Sequence, residues 1–338
     1  MSASTTIRTM DDIARLAGVS KSTVSRALSD SPLIAVETKE RIRAIAREHR
    51  FQLNAPARRL SLKRSRAVAL VLYGKDDTFF SPDVFMLEIM GGMSAGLRAL
   101  DYDLLVTHVD PSDTDWPRRY VDSGRADGFV LLFGSCNARQ RRLLADMRAP
   151  FIIWGAAPAD RRYCSVFGDS VTGGRLATGH LLETGRRRIA FLGGPEASPE
   201  VQDRLRGYEE ALRAAGHELD PALVAYADWM EPETAGPALR QLLERAPDVD
   251  GVFANSDMMA MAAMDAARTA GRRVPRDVAV VGYDDIAVAR HATPPLTTIR
   301  QNGPLAGRLL AQNLLQHLET GAVTNVTIPA ELVVRAST

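Results

Sequence analysis

From residue 67 onward, short apolar runs alternate with longer stretches of helical spacing, and this alternation restricts the fold more than any other feature of the chain. The runs are AVALVLY (67–73), DLLVTH (103–108), GFVLLF (128–133), FIIW (151–154), RIAFLGG (188–194), LVAYA (223–227), GVFAN (251–255) and VAVVGY (278–283). Strands apolar on both faces cannot leave one face in water, so the pattern predicts parallel strands covered by helices on both sides. The series outruns the usual length of one sheet, which favours two doubly wound subdomains. A helix at about 304–319 and a last strand near VTIPAELVV let the chain cross back between them. At 338 residues and 46% hydrophobic, the chain can fill two or three cores.

The first 66 residues follow another rule and read as helices with no strand. In TMDDIARLAG, Thr9 caps a helix and Asp12 returns the bond, while Ile13, Ala14 and Ala17 form one stripe that ends at Gly18. Ser20 caps a second short helix with Val24, Ala27 and Leu28 inward and Lys21, Ser22, Ser25 and Arg26 outward. A third helix is expected from about Glu37 to Glu48, burying Ile42, Ile45 and Ala46. Charge divides at the same place. Residues 1–66 hold 14 Lys and Arg against 6 Asp and Glu, net +8, and the remainder is net −7 although the whole chain is only +1. A basic head on an acidic body points to a polyanion as partner of the head. Two short helices joined by a glycine turn, the second exposing small donors, suit a major groove, where Lys or Arg can reach guanine O6 and N7. On pattern alone, a plain helical hairpin with a solvated basic surface stays open.

The stretches TMDDIARLAGVSKSTVSRALS and NAPARRL, followed by GRADGFVLL, RRIAFLGGP, DRLRGYEEAL, NSDMMAM, VAVVGYDD and PPLTTIRQ, resemble the lactose-repressor (LacI/GalR) family of transcription regulators over nearly the whole chain. The resemblance implies an α/β fold with an all-α helix-turn-helix headpiece and two doubly wound parallel-sheet subdomains of the periplasmic-binding-protein kind. It divides the chain into a headpiece (1–53), a hinge helix and linker (54–66) and an effector-binding and dimerisation domain (67–338). By position, Lys21, Ser22 and Arg26 are expected to read base edges, and Ser20, Thr23 and Ser25 to serve phosphates or caps, with Thr9 counted among the DNA-binding residues. Asn54 caps a hinge helix, Pro56 fits its first turn, and Leu60 is expected to wedge between central base pairs with Ala57 and Arg58 alongside. One departure is Ala35, where relatives usually carry a hydroxyl that caps the third helix.

For the body, the resemblance implies a ligand cleft where loops at strand carboxyl ends converge. Arg204 in DRLRG and Asp284 in GYDD match the effector-clamping pair, and a guanidinium and a carboxylate can each make paired hydrogen bonds to adjacent hydroxyls. Trp229 matches a pocket wall, Ser256 stands where many relatives have Asn, and Asp257 matches the family pattern. Gly155 occupies a position held by Asp in some sugar-binding relatives, and Phe80 and Asp83 are expected to close the near side. Read without the family, Asp284 could cap the short helix that follows it, Arg204 could be a structural ion-pair residue and Trp229 could be core.

Enzyme readings fail on context. Gly92-x-Ser94-x-Gly96 has the form of a nucleophile elbow, yet helical spacing through Leu87, Met90, Met93, Leu97 and Leu100 replaces the strand an elbow needs; its small residues are expected to let a helix lie close to its sheet. There is no strand-linked GxGxxG or GxxxxGK[ST], the six histidines have no metal spacing, and Met258, Met259, Met261 and Met264 read as core. Cys136 and Cys164, in segments read as a loop and a strand edge, suggest no zinc site or disulfide. No cofactor is implied. The start lacks the pattern of a signal peptide and no 18-residue apolar stretch occurs, so a cytoplasmic protein without membrane contact is expected. The reading is a homodimeric regulator, in this family most often a repressor, bound to pseudo-palindromic operator DNA under control of a small effector, a sugar by preference. The absence of leucine heptads in the closing VVRAST segment argues against a zipper tetramer. A sugar-binding receptor of the transport type is the alternative.

Overall fold

The computed structural model describes residues 9–28, 30–49, 51, 64–73, 84–110, 112–132, 138–155, 163–228 and 231–338. They fall into two compact units, Met1–Ser65 and Arg66–Thr338. The first unit carries α1 (Met10–Ala17), α2 (Lys21–Leu28) and α3 (Val36–Glu48). Thr9 and Asp12 form the reciprocal cap foreseen for α1, and Gly18 ends that helix at φ 62°, a left-handed conformation that costs glycine little. Ser20 Oγ accepts from the Thr23 amide at 3.2 Å, starting α2. Ile13, Val24 and Ile42 are fully buried with Ala14, Ala17 and Ala27 around them, and Ile45 and Phe51 close the edge. Ala35 gives α3 no side-chain cap. The lead-in to α3 is instead tied down by Asp30, which accepts from Lys39 Nζ at 3.1 Å and Arg43 Nη2 at 2.6 Å. Those two cations hold the Asp30 carboxyl below its ordinary range.

The second unit contains two six-stranded sheets. The first is built from β1 (Ala67–Tyr73), β2 (Asp103–Val109), β3 (Gly128–Leu132), β4 (Phe151–Gly155), β5 (Cys164–Gly168) and β11 (Asn325–Ile328), in the order β11-β5-β4-β3-β1-β2. The second is built from β6 (Ile189–Gly193), β7 (Val224–Tyr226), β8 (Gly251–Ala254), β9 (Ala279–Asp284), β10 (Thr297–Arg300) and β12 (Glu331–Val333), in the order β12-β10-β9-β8-β6-β7. Among the described pairings only β10 with β12 is antiparallel. All seven residues of β1 are buried, as a strand covered on both faces requires. The covering helices are α4 (Val84–Arg98), α5 (Trp116–Val121), α6 (Ala138–Asp146), α7 (Ser170–Glu183), α8 (Pro199–Ala214), α9 (Ala235–Arg245), α10 (Asp257–Thr269) and α11 (Gly303–Thr320).

Several expectations need correcting. β5 and β10 were not foreseen: CSVFG and TTIR are short and mix hydroxyls with apolar residues, so neither shows a run. Cys164 stands at the start of β5, buried, in a strand that lies between β4 and β11. The single closing strand is two strands, one in each sheet. Leu87 in α4 and Leu100 in the turn after it face solvent, and the buried face runs through Phe85, Met86, Ile89, Met93 and Leu97. Its small residues serve another helix, α11, and not the sheet. A Cβ on Gly92 would stand 2.2 Å from the Pro304 carbonyl oxygen, and one on Gly307 would stand 2.0 Å from that of Ile89. The second half repeats the device between α7 and α8, where a Cβ on Gly207 would lie 2.1 Å from the Val171 oxygen.

The chain passes between the halves after β5, between β10 and α11, and between β11 and β12. Gly307→Ala sets a methyl against rigid backbone and is expected to destabilise the body by about 1–3 kcal/mol in thermal or urea unfolding. Gly179→Ala, with nothing within 4 Å of its added carbon, is expected to be neutral or to stabilise by up to about 1 kcal/mol.

Candidate functional site

Two regions gather the residues singled out by sequence. On the headpiece, Lys21, Ser22 and Arg26 are exposed along α2 while Thr23 and Ser25 are half-buried. Ser20 Oγ lies 2.8 Å from Ser22 Oγ and 2.9 Å from Thr23 Oγ1, a hydroxyl cluster that fixes the first turn. Lys21 Nζ donates to Asp11 Oδ2 at 2.7 Å. Sequence spacing did not single out Asp11, because its partner lies ten residues away on another helix. Asn54, Ala57, Arg58 and Leu60 lie outside the described residues, as do Phe80, Asp83 and Trp229.

In the body, each sheet reverses its strand order once, between β1 and β3 and between β6 and β8. Ligands of open α/β sheets lodge at carboxyl ends beside such reversals. Gly155 ends β4 in the first sheet, and Ser256 and Asp257 follow β8 in the second. Arg204 comes from α8, which follows β6; it is buried, and its Nη1 donates to the Asn255 carbonyl at 2.5 Å. Its guanidinium carbon stands 3.7 Å over the Tyr283 ring, a stacking arrangement that arginine's planar cation favours. Asp284, one residue on, is half-buried and holds φ 113°, a region that side-chain-bearing residues seldom adopt. Its Oδ1 accepts from Gln301 Nε2 at 2.6 Å. A buried cation on α8 and a carboxylate at the end of β9, both beside Tyr283, are groups of the kind that pair with vicinal hydroxyls.

Ser256 and Asp257 are occupied by the protein itself. Ser256 Oγ caps α10 by accepting from Met259 N at 3.2 Å. Asp257 is fully buried; one oxygen accepts from the Ile286 amide at 2.8 Å and the other from the Thr298 hydroxyl. Burial pushes its carboxyl up to about 7 from 3.8, against the two hydrogen bonds that pull it down. Partial burial raises the carboxyl of Glu88 on α4 also. Among the described residues no helix is long and apolar enough to cross a membrane, and no group of three His, Cys, Asp or Glu could hold a metal ion.

A helix-turn-helix headpiece carried by a two-sheet body of this topology defines a class of DNA-binding regulators. Residues 9–54 match the bacterial regulatory proteins of the lacI family, and residues 178–338 match the periplasmic binding protein-like domain. The chain is 37% identical to the HTH-type transcriptional regulator CelR of Thermobifida fusca over 97% of its own length and 98% of that protein's. Its structure is similar to that of the CelR–cellobiose complex (TM-score 0.75, 35% identity, covering 98% of this chain and 100% of that one). It is also similar to the lac repressor dimer bound to operator and the anti-inducer ONPF (TM-score 0.83, 26% identity, covering 98% of each). The chain belongs to the lacI family of bacterial regulatory proteins and is a DNA-binding transcriptional regulator.

An acid that holds its proton more tightly when folded favours folding most below its unfolded value and loses that contribution as pH rises through the folded one. The Asp257 contribution to stability is therefore expected to fall between pH 3.8 and about 7. Unfolding curves across that range are expected to show a shallower decline with pH for Asp257→Asn than for the wild type.

Proposed function

We propose that this regulator is a homodimeric repressor of a carbohydrate-linked operon, with one headpiece on each half of an inverted-repeat operator and a sugar in the body as effector. The observation that carries the ligand reading is the pair beside Tyr283: buried Arg204 on α8, stacked on that ring, and Asp284 at the end of β9 in its strained backbone. The bound cellobiose named for CelR and the anti-inducer named for the lac repressor support a small ligand at such a site. Gly155 leaves room beside it, and Phe80, Asp83, Trp229 and Ser256 are assigned to its walls, with Asp257 bracing the floor.

Lys21, Ser22 and Arg26 read bases; Thr9, Ser20, Thr23 and Ser25 cap the helices or meet phosphates. Asn54, Ala57, Arg58 and Leu60 form the minor-groove segment between headpiece and body. Exposed Leu87 (52%) on α4 and Val106 (36%) on edge strand β2 support an apolar dimer face. The protein works in the cytoplasm by binding and not by turnover: Ser94 lies exposed within a helix, without the strand-to-turn placement that a nucleophile needs. The headpiece decides against a transport receptor.

The experiment is selection of duplexes from a random pool by the full chain. Enrichment of one inverted repeat is expected, with Lys21→Ala and Arg26→Ala each weakening its binding by roughly 5- to 100-fold. A pool that enriches no inverted repeat overturns the reading.

A further inference from the structure

A carboxylate stands on the headpiece where a DNA-reading surface should offer cations and neutral donors. Asp11 is the second residue of α1, and its Oδ2 lies 2.7 Å from the Nζ of Lys21, the first residue of α2, with 64% and 59% of the two side chains exposed. The N-terminal turn of a recognition helix is the end that meets base edges, so the pair lies at the front of the interface beside exposed Ser22. Helix capping does not need Asp11, since Thr9 and Asp12 close that box. As a first-turn acid Asp11 gains a little from the positive end of α1, a gain that Asp12 shares, and its exposed ion pair adds little more. The acid therefore faces a polyanion at an electrostatic cost.

We propose that Asp11 is a specificity-determining residue: it keeps Lys21 neutralised against phosphates and yields it only where a base edge offers better partners. The proposal rests on the DNA-reading role of Lys21 given above. Over an arbitrary sequence, the paired lysine releases no net counterion and the carboxylate is repelled by the backbone. Over a G·C pair, guanine O6 and N7 can take the ammonium, and the cytosine amine can donate to the freed carboxylate. The pair thus penalises non-specific binding more than specific binding, and discrimination grows without any added contact to the right sequence.

The test uses Asp11→Asn in the full chain, on the inverted repeat selected by the wild type and on a random-sequence duplex of equal length, across a range of salt. Affinity for the random duplex is expected to rise roughly 3- to 10-fold near 0.1 M salt, and the slope of log K against log salt to steepen by about 0.9, the equivalent of one phosphate contact. Operator affinity is expected to rise less, so the specificity ratio falls. In a Lys21→Ala background the steepening is expected to vanish, and Glu37→Gln, which removes an exposed acid from α3, is expected to leave the slope unchanged. Equal gains on both duplexes, an unchanged slope, or an effect matched by Glu37→Gln would overturn the proposal. Failure of selection to return any repeat would instead overturn the DNA-reading role itself.

Discussion

The side chain of Gln301 occupies the place on which the body's two halves depend. It is 5% exposed, its amide donates to Asp284, and its Oε1 lies 2.7 Å from where a Cβ on Gly168 would stand. Gly168 ends β5 just before the chain first leaves the first sheet, and Gln301 follows β10 just before the chain returns. A glycine at 168 leaves the amide room in this position. One buried side chain thus stands at two of the three crossings and bonds Asp284. Asp284, Asp285 and Asn302 hold φ 113°, 59° and 52° around the same point. Such backbone persists only where its surroundings fix it, and here they adjoin the candidate effector site. A ligand shifts such an equilibrium only by binding its alternatives unequally; taking Asp284 away from Gln301 is one way to do so.

The rest of the body keeps that point in place. Paired glycines bring α4 onto α11 and α7 onto α8 with backbone nearly in contact, so each helix pair packs closely. Asp285 takes Arg300 at 2.8 Å and Arg335 at 2.5 Å with its carboxyl almost wholly enclosed, pinning the last strand pair beside the crossing. The headpiece is held differently. Its apolar core is small, and reciprocal capping at Thr9, the hydroxyl cluster at Ser20 and the Asp30 clasp supply what burial alone does not.

Much of this was legible in the sequence because it is local. Eight apolar runs announced strands, and the spacing of Thr9 to Asp12 and of Ser20 to Thr23 announced helix starts that the structure has. The failures share a physical cause. CSVFG and TTIR become strands through neighbours distant in sequence, and the glycines of α4 pack against a helix that starts more than 200 residues later. No period in the chain encodes such pairings. The candidate site was legible as residue types matched to the family's motifs, Arg204 in DRLRG and Asp284 in GYDD. The stacking of Arg204 on Tyr283, the enclosure of Asp257 and the reach of Asp11 to Lys21 appear only once separate elements meet.

The central claim is that a ligand gripped by Arg204 and Asp284 decides whether the headpiece holds DNA. The direct measurement is the affinity of the full chain for its selected inverted repeat over a titration with cellobiose, in the wild type and in Arg204→Met, which keeps an apolar stem on the Tyr283 ring. The expected result is a tenfold or larger change in wild-type affinity as the sugar is added, and equal affinity without sugar but no response in the variant. A variant that responds like the wild type, or a wild type indifferent to cellobiose and to a panel of related mono- and disaccharides, contradicts the claim.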